Sequence, residues 1–250
     1  MRASSTSHPG FLPSLLVTTR RDHLHLALLC FGLLGALGLA IELGLLSTAD
    51  AQVSSDARSW AIERPWLEGP LLAVEWVFEA RTVMWMGVVL AGVLLVRRHA
   101  RAAVLVAAVS VATRELTQHA KALFGRDRPL WQDTDHLLGS GSYPSGHAAG
   151  IVALAGLLVV LTFAHTRRTE TRRLVSVAAG AVVLLVFADR LMLGRHYVTD
   201  LLGGALLSTG LILVGLAIVG PLRPVEMQQR RRPVSSGAPV AVGVLVSRSA

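Results

Sequence analysis

The feature that most limits what this chain can become is a series of long apolar runs whose charged residues stand between them rather than along them. A soluble helical core carries its polar residues in stripes at helical spacing, and most of these runs have no such stripe. With 52% hydrophobic and 16% charged residues and a mean hydropathy of +0.55, the chain reads as a membrane protein. Its single cysteine, Cys30, lies inside the first run, which excludes an intramolecular disulfide and argues against a thiolate metal site.

Leu24 to Leu46 matches the roughly 20 residues that a helix needs to cross a bilayer. It follows Arg20 and Arg21 but is longer than the apolar core of a signal peptide, about 7 to 15 residues, and has no clear small-x-small cleavage site before Asp50. It is expected to be a retained anchor. Asp50 to Gly69 reads as a polar loop lying along the membrane surface, with Trp60 and Trp66 at headgroup level.

The next run, Leu71 to Val96, carries Glu75, Glu79 and Arg81 in its first half, and charges at that depth face a protein interior or a water-filled cavity. Either Leu71 to Arg81 is an interfacial helix ahead of a short span, or one long helix turns these charges toward the bundle; the long helix is favoured. The third span, Ala102 to Ala120, places Arg114, Gln118 and Lys121 at a spacing that shares one helical face. Residues 123–146 form a loop longer than most connections, and such loops tend to be functional or disordered. Ala148 to Ala164, Leu174 to Leu193 and Tyr197 to Val219 complete the set. The expected fold is therefore an all-α polytopic membrane protein with six transmembrane helices. It has an N-terminal segment over 1–23, a membrane domain over 24–220 and a mobile basic tail over 221–250.

Charge orients this layout. The N-terminus, Arg97 to Arg101, Arg167 to Arg173 and the tail hold 15 of the 24 Lys and Arg, whereas the opposite set of connections holds seven. By the positive-inside bias both termini are cytoplasmic. The 123–146 loop and the turn after Leu193 then lie on the extracytoplasmic side, with Lys121, Arg126, Arg128, Arg190 and Arg195 concentrated there. The net charge of +8 needs no nucleic-acid partner.

On that face Tyr143-Pro144-Ser145-Gly146-His147 puts a hydroxyl, a histidine and a loosened backbone at the start of a span, where the first helix amides can face an anion. Alone, a Ser-Gly pair before a helix is more often an ordinary cap, and basic residues at helix ends often only reach toward headgroups. Together the parts suggest more. Lys121 and Arg128 end the third span, Arg190 closes the fifth, and His196 and Asp200 open the sixth. Phosphoryl transfer requires such cations and amides for the equatorial oxygens, an in-line nucleophile and an acid for the leaving oxygen.

The pieces Lys121-x6-Arg128-Pro129, Pro144-Ser145-Gly146-His147 and Arg190-x5-His196-x3-Asp200 resemble the three signature motifs of the type-2 phosphatidic acid phosphatase family. These are integral-membrane lipid phosphate phosphatases related to vanadium-dependent haloperoxidases. The resemblance covers 121–200, and the six-span layout extends it to most of the chain. One departure is Asp189, where the family usually has Ser before the third-motif arginine; a carboxylate there would pair with Arg190 or Arg195 and weaken phosphate binding.

The resemblance implies that His196 attacks phosphorus, that Asp200 accepts from its other ring nitrogen, and that His147 protonates the leaving group and later activates water. Lys121, Arg128, Ser145, Gly146 and Arg190 would hold the phosphoryl oxygens. It implies no metal and no cofactor. Arg114 and Arg195 are added from position alone as further cations around the site.

A site at the membrane face suits an amphiphilic lipid phosphate or pyrophosphate. Phosphatidic acid, phosphatidylglycerol phosphate and a polyprenyl pyrophosphate all qualify, the extracytoplasmic face slightly favouring the last. The expected setting is a bacterial cytoplasmic membrane. Two rivals remain: a vanadate-binding haloperoxidase, disfavoured by the six spans because those relatives are soluble, and a catalytically silent lipid-phosphate-binding or transport protein. Silent members typically lose one of His147, His196 and Asp200, and all three are present.

Overall fold

The structure is a computed structural model that describes residues 19–131, 140–220 and 222. Most of the 1–23 segment, 132–139 of the long loop and all of the 221–250 tail except Leu222 lie outside these residues, and with them the expectation of a mobile basic tail. Among the described residues there are helices and no strand: α1 Arg20–Glu42, α2 Ser47–Ile62, a short 3-10 turn Pro65–Leu67, α3 Glu68–Val77, α4 Ala80–Val96, α5 Ala100–Phe124, α6 Gly146–His165, α7 Thr169–Met192 and α8 Val198–Val219.

The helix ends follow from local chemistry. Thr19 and Asp22 close a reciprocal capping box at the start of α1, the Thr19 hydroxyl accepting from Asp22 N–H at 3.3 Å and Thr19 N–H donating to the Asp22 carboxylate at 2.8 Å. Gly125 ends α5 in the left-handed conformation, φ +58°, returning its N–H to the Lys121 carbonyl at 3.0 Å. Ser145 caps α6 through its side chain.

α8 is the hub of the bundle, packing on α1, α5 and α6, while α6 also meets α4 and α7 and α3 lies on α7. The half of the bundle away from the long loop is apolar. There Ala102, Leu105, Val106 and Val109 of α5, Ala153, Leu157 and Leu161 of α6, and Ile212 and Leu216 of α8 form one cluster. α1 and α7 instead leave large apolar side chains such as Leu28, Leu29, Leu184 and Leu185 exposed. An outer ring of uncovered Leu and Val around a packed interior suits lipid as the surrounding medium. Four helices, α1, α6, α7 and α8, are long and apolar enough to cross a membrane, and α3 with α4 makes a fifth if the pair is one span.

Two expectations need correction. Residues 50–69 are not a loop: α2 fills most of that stretch. Its inward stripe is Asp50, Ser54 and Ala61, which follows helical spacing but is polar and small, so hydrophobic periodicity could not reveal it. Residues 71–96 are not one long helix either. α3 and α4 meet at a 48° bend, with Glu79 in an extended conformation, φ −53° and ψ 139°, and the two halves pack on different partners, α3 on α7 and α4 on α5 and α6. On α5 the buried polar residues are Thr113, Thr117 and Lys121, while Arg114 and Gln118 line the cleft beside Thr113 and Thr117.

Candidate active site

The polar half of the bundle gathers four helix ends. Lys121, in the last turn of α5, is buried and its ammonium donates to the Gly141 carbonyl at 2.7 Å. The chain beyond α5 folds back on itself through Ser142 N–H to the Arg126 carbonyl, 2.7 Å. That fold brings Arg128 over the turn between α7 and α8. Its Nε donates to the Ser140 carbonyl at 3.0 Å and one Nη1 proton to the Arg195 carbonyl at 2.8 Å, leaving Nη1 3.5 Å from Nε2 of His196. Burial pulls Arg128 down to about 10, with Asp200 opposing, so it stays a cation at neutral pH.

His196 is 2% exposed. Its Nδ1 lies 3.2 Å from Oδ2 of Asp200 and 3.3 Å from the Ser142 hydroxyl. An ionised carboxylate only accepts, so Nδ1 carries the proton and Nε2 presents its lone pair toward Arg128. Burial pushes this imidazole down to about 3, outweighing its hydrogen bond to Asp200. It is neutral at physiological pH.

Asp200 is fully buried and saturated. Oδ2 also accepts from the Ser142 hydroxyl and from Tyr197 N–H at 2.9 Å, and Oδ1 accepts from Arg126 at 2.7 Å. Its backbone carbonyl takes Ser145 N–H at 2.9 Å, which ties the start of α6 to the start of α8. Tyr143 locks the same corner to α1, its hydroxyl donating to the Leu34 carbonyl at 2.7 Å. Burial, then Asp200, raises that phenol, so it remains a donor.

At the start of α6, His147 Nε2 is 3.4 Å from Nη1 of Arg190. Arg190 is itself engaged by two carboxylates: Nε donates to Asp189 at 2.8 Å, Nη2 also donates to Asp189, and Nη1 donates to Glu75 at 2.9 Å. Glu75 sits 3.4 Å from Nε of Arg195 as well.

Of the residues singled out in the sequence, Lys121, Arg128, Ser145, Gly146, His147, Asp189, Arg190, Arg195, His196 and Asp200 lie at this one end of the bundle. Arg114 does not join their hydrogen bonds. It donates to its neighbour Glu115 at 2.7 Å, although it lines a narrow cleft between α4, α5 and α6 that Gly146 also lines. Ser142, Arg126, Asp50 and Glu75 were not singled out as site residues. Glu75 had a signal, a carboxylate within an apolar run, and Arg126 stood among the counted cations. Asp50 and Ser142 had none, because their partners lie far along the sequence.

Among the described residues no cluster of three or more His, Cys, Asp or Glu is arranged to hold a metal ion. The model of the PAP2 superfamily matches residues 99–224, from the start of α5 to just past α8. Phosphatidylglycerophosphatase B of Bacillus subtilis (strain 168) is 27% identical over 178 residues, 71% of this chain and 85% of that protein. The crystal structure of the first transmembrane PAP2 type phosphatidylglycerolphosphate phosphatase from Bacillus subtilis superposes with a TM-score of 0.63 at 24% identity. It covers 83% of this chain and 98% of its own, a likeness of fold.

Proposed function

The chain belongs to the PAP2 superfamily, and from that premise we propose that it is a membrane-embedded lipid phosphate phosphatase working through a phosphohistidine, without a metal. The observation that carries the reading is the pair of histidines on two neighbouring cations. His196 turns its unprotonated Nε2 toward Arg128 at 3.5 Å, and His147 lies 3.4 Å from Arg190.

A phosphoryl group seated between Arg128, Arg190 and Lys121 meets both rings. The Nε2 lone pair of His196 forms the N–P bond while the bond from phosphorus to the lipid oxygen breaks, and His147 gives its proton to that oxygen. Asp200 holds the Nδ1 proton and offsets the positive charge that the ring gains. A water molecule, giving its proton to His147, then attacks phosphorus and frees His196. The arginines and lysine supply the charge stabilisation that a divalent ion supplies in other phosphatases.

Six spans complete the picture: α1, the bent pair α3 and α4, α5, α6, α7 and α8. α5 counts as the sixth because it carries no charged residue between Arg101 in its first turn and Arg114, and its inward polar face ends at Lys121. Both termini are then cytoplasmic and the site is extracytoplasmic, as the distribution of basic residues favours. The substrate is an amphiphile whose phosphate reaches the cations while its tail remains in lipid. The name of the Bacillus subtilis relative moves phosphatidylglycerol phosphate ahead of phosphatidic acid and polyprenyl pyrophosphate.

Protein purified in detergent should release inorganic phosphate from phosphatidylglycerol phosphate in the presence of a chelator, and His196→Ala should abolish release. Activity that survives the substitution would remove His196 as nucleophile, and a requirement for a divalent ion would remove the metal-free mechanism.

A further inference from the structure

We propose that Asp50, on α2, is a positioning residue of this site that acts through Arg126 on Asp200 and so on His196. The proposal rests on the phosphatase reading only for what His196 does. Asp50 is 4% exposed, and a carboxylate so buried is costly unless its lone pairs are filled. They are. Oδ1 accepts Thr199 N–H at 3.1 Å, and Oδ2 accepts the Thr199 hydroxyl and Nη2 of Arg126 at 2.8 Å.

Thr199 N–H belongs to the first turn of α8, where the amides have no partner within their own helix. A carboxylate 149 residues away in sequence therefore does the work of a helix cap, one residue before Asp200. The preceding turn is thereby fixed, and His196 sits in that turn.

Arg126 carries the second link. Its guanidinium is a planar fork, with Nη2 on Asp50 and Nη1 shared between the Thr199 hydroxyl and Oδ1 of Asp200, each at 2.7 Å. The fork lies over the Tyr197 ring, 4.1 Å from its centroid. With Oδ1 held by Arg126, the Asp200 carboxylate cannot rotate, and Oδ2 is the oxygen that meets Nδ1 of His196. The direction of the Nε2 lone pair is thus set by a chain running from Asp50 through Arg126 and Asp200 to His196. Remove Asp50 and the fork keeps one carboxylate anchor instead of two.

The test compares wild type with Asp50→Asn and Arg126→Lys, the second keeping a cation but losing the fork. Each is assayed in detergent on phosphatidylglycerol phosphate and by NMR of the 15N-labelled histidine rings, His196 being assigned by the signal lost in His196→Ala. Both variants should lower kcat roughly 10- to 100-fold, the usual scale for losing an orienting partner, with KM within about threefold. The His196 signals should lose their single Nδ1–H tautomer. A variant with a lower melting temperature but unchanged kcat per folded molecule and unchanged His196 signals would reduce Asp50 to a helix cap and overturn the proposal. If wild type releases phosphate from no lipid phosphate, the phosphatase reading fails, and the histidine spectrum still decides Asp50. A lost tautomer supports the proposal and an unaltered spectrum overturns it. Should Asp50→Asn not fold, Arg126→Lys carries the same readouts.

Discussion

Asp189 occupies a position where a serine would leave Arg190 freer. It is 1% exposed, takes two donors of Arg190 on Oδ2, and leaves Oδ1 without a hydrogen-bond partner among the described residues. A phosphoryl oxygen approaching Arg190 must therefore compete with a carboxylate already in place, on a side chain that Glu75 also engages. Hydrogen bonds to charged groups are worth about 1.5–3 kcal/mol, but part of that returns as the cost of leaving Arg190 less neutralised. Asp189→Ser is accordingly expected to lower KM for the lipid phosphate by roughly three- to tenfold with little change in kcat, the mark of binding gained equally in the ground and transition states. Steady-state kinetics of the purified variant check it. A raised KM would mean that Asp189 holds Arg190 in its working orientation instead of competing for it.

The helices that carry the site meet at closest range where α6 and α8 begin. A Cβ added at Gly204 would lie 2.6 Å from the Ser145 carbonyl oxygen and 2.9 Å from the Ala149 nitrogen. Both are backbone atoms that can move only with their helix. Gly204→Ala should therefore push α8 off α6 and weaken the Ser145 N–H to Asp200 carbonyl bond. We expect a loss of about 1–3 kcal/mol, the range for overpacking, seen as a lower melting temperature in detergent together with reduced phosphate release. Gly180→Ala, with nothing within 4 Å of its Cβ, should leave both unchanged and serves as the control. This scale also marks what the sequence made legible. The later helices were readable to within a few residues because their apolar runs are long and end at Ser145, Gly194 and Gly220. The break after Phe78 was not, because it depends on α3 and α4 finding different neighbours. Nor was α2, whose buried face is Asp50 and Ser54, a pattern that hydropathy reads as solvent. The histidines and the cations proposed to hold phosphate could be named from their resemblance to the family's motifs, while Asp50 and Arg126, whose partners lie more than seventy residues away, could not be given a place.

At the scale of the whole molecule the bundle is zoned along its length. One end holds the buried polar site, the other the apolar cluster and, beyond it, the basic connections. The turn from α6 to α7 belongs to that second end, where Arg172 donates to the Thr166 carbonyl at 2.8 Å and the Phe163 carbonyl at 2.9 Å, a cation on the negative end of α6. Among the described residues most Lys and Arg outside the site lie on this side, and from the bias of such residues toward the cytoplasm we predict that the site end faces out. On that prediction α2 would lie at the extracytoplasmic end, since Asp50 reaches the site from it. The prediction can be checked with one reagent. In a Cys30→Ser background, which removes the single native thiol, Asp56→Cys places a thiol on the exposed side of α2 and Glu170→Cys places one at the exposed start of α7. A membrane-impermeant maleimide added to intact cells should label the Asp56→Cys protein and leave the Glu170→Cys protein unlabelled until the membrane is permeabilised. The reverse pattern would turn the molecule over, placing phosphate release in the cytoplasm. Equal labelling of both in sealed cells would mean that α2 and the α6 to α7 turn share a side, which the six-span arrangement forbids.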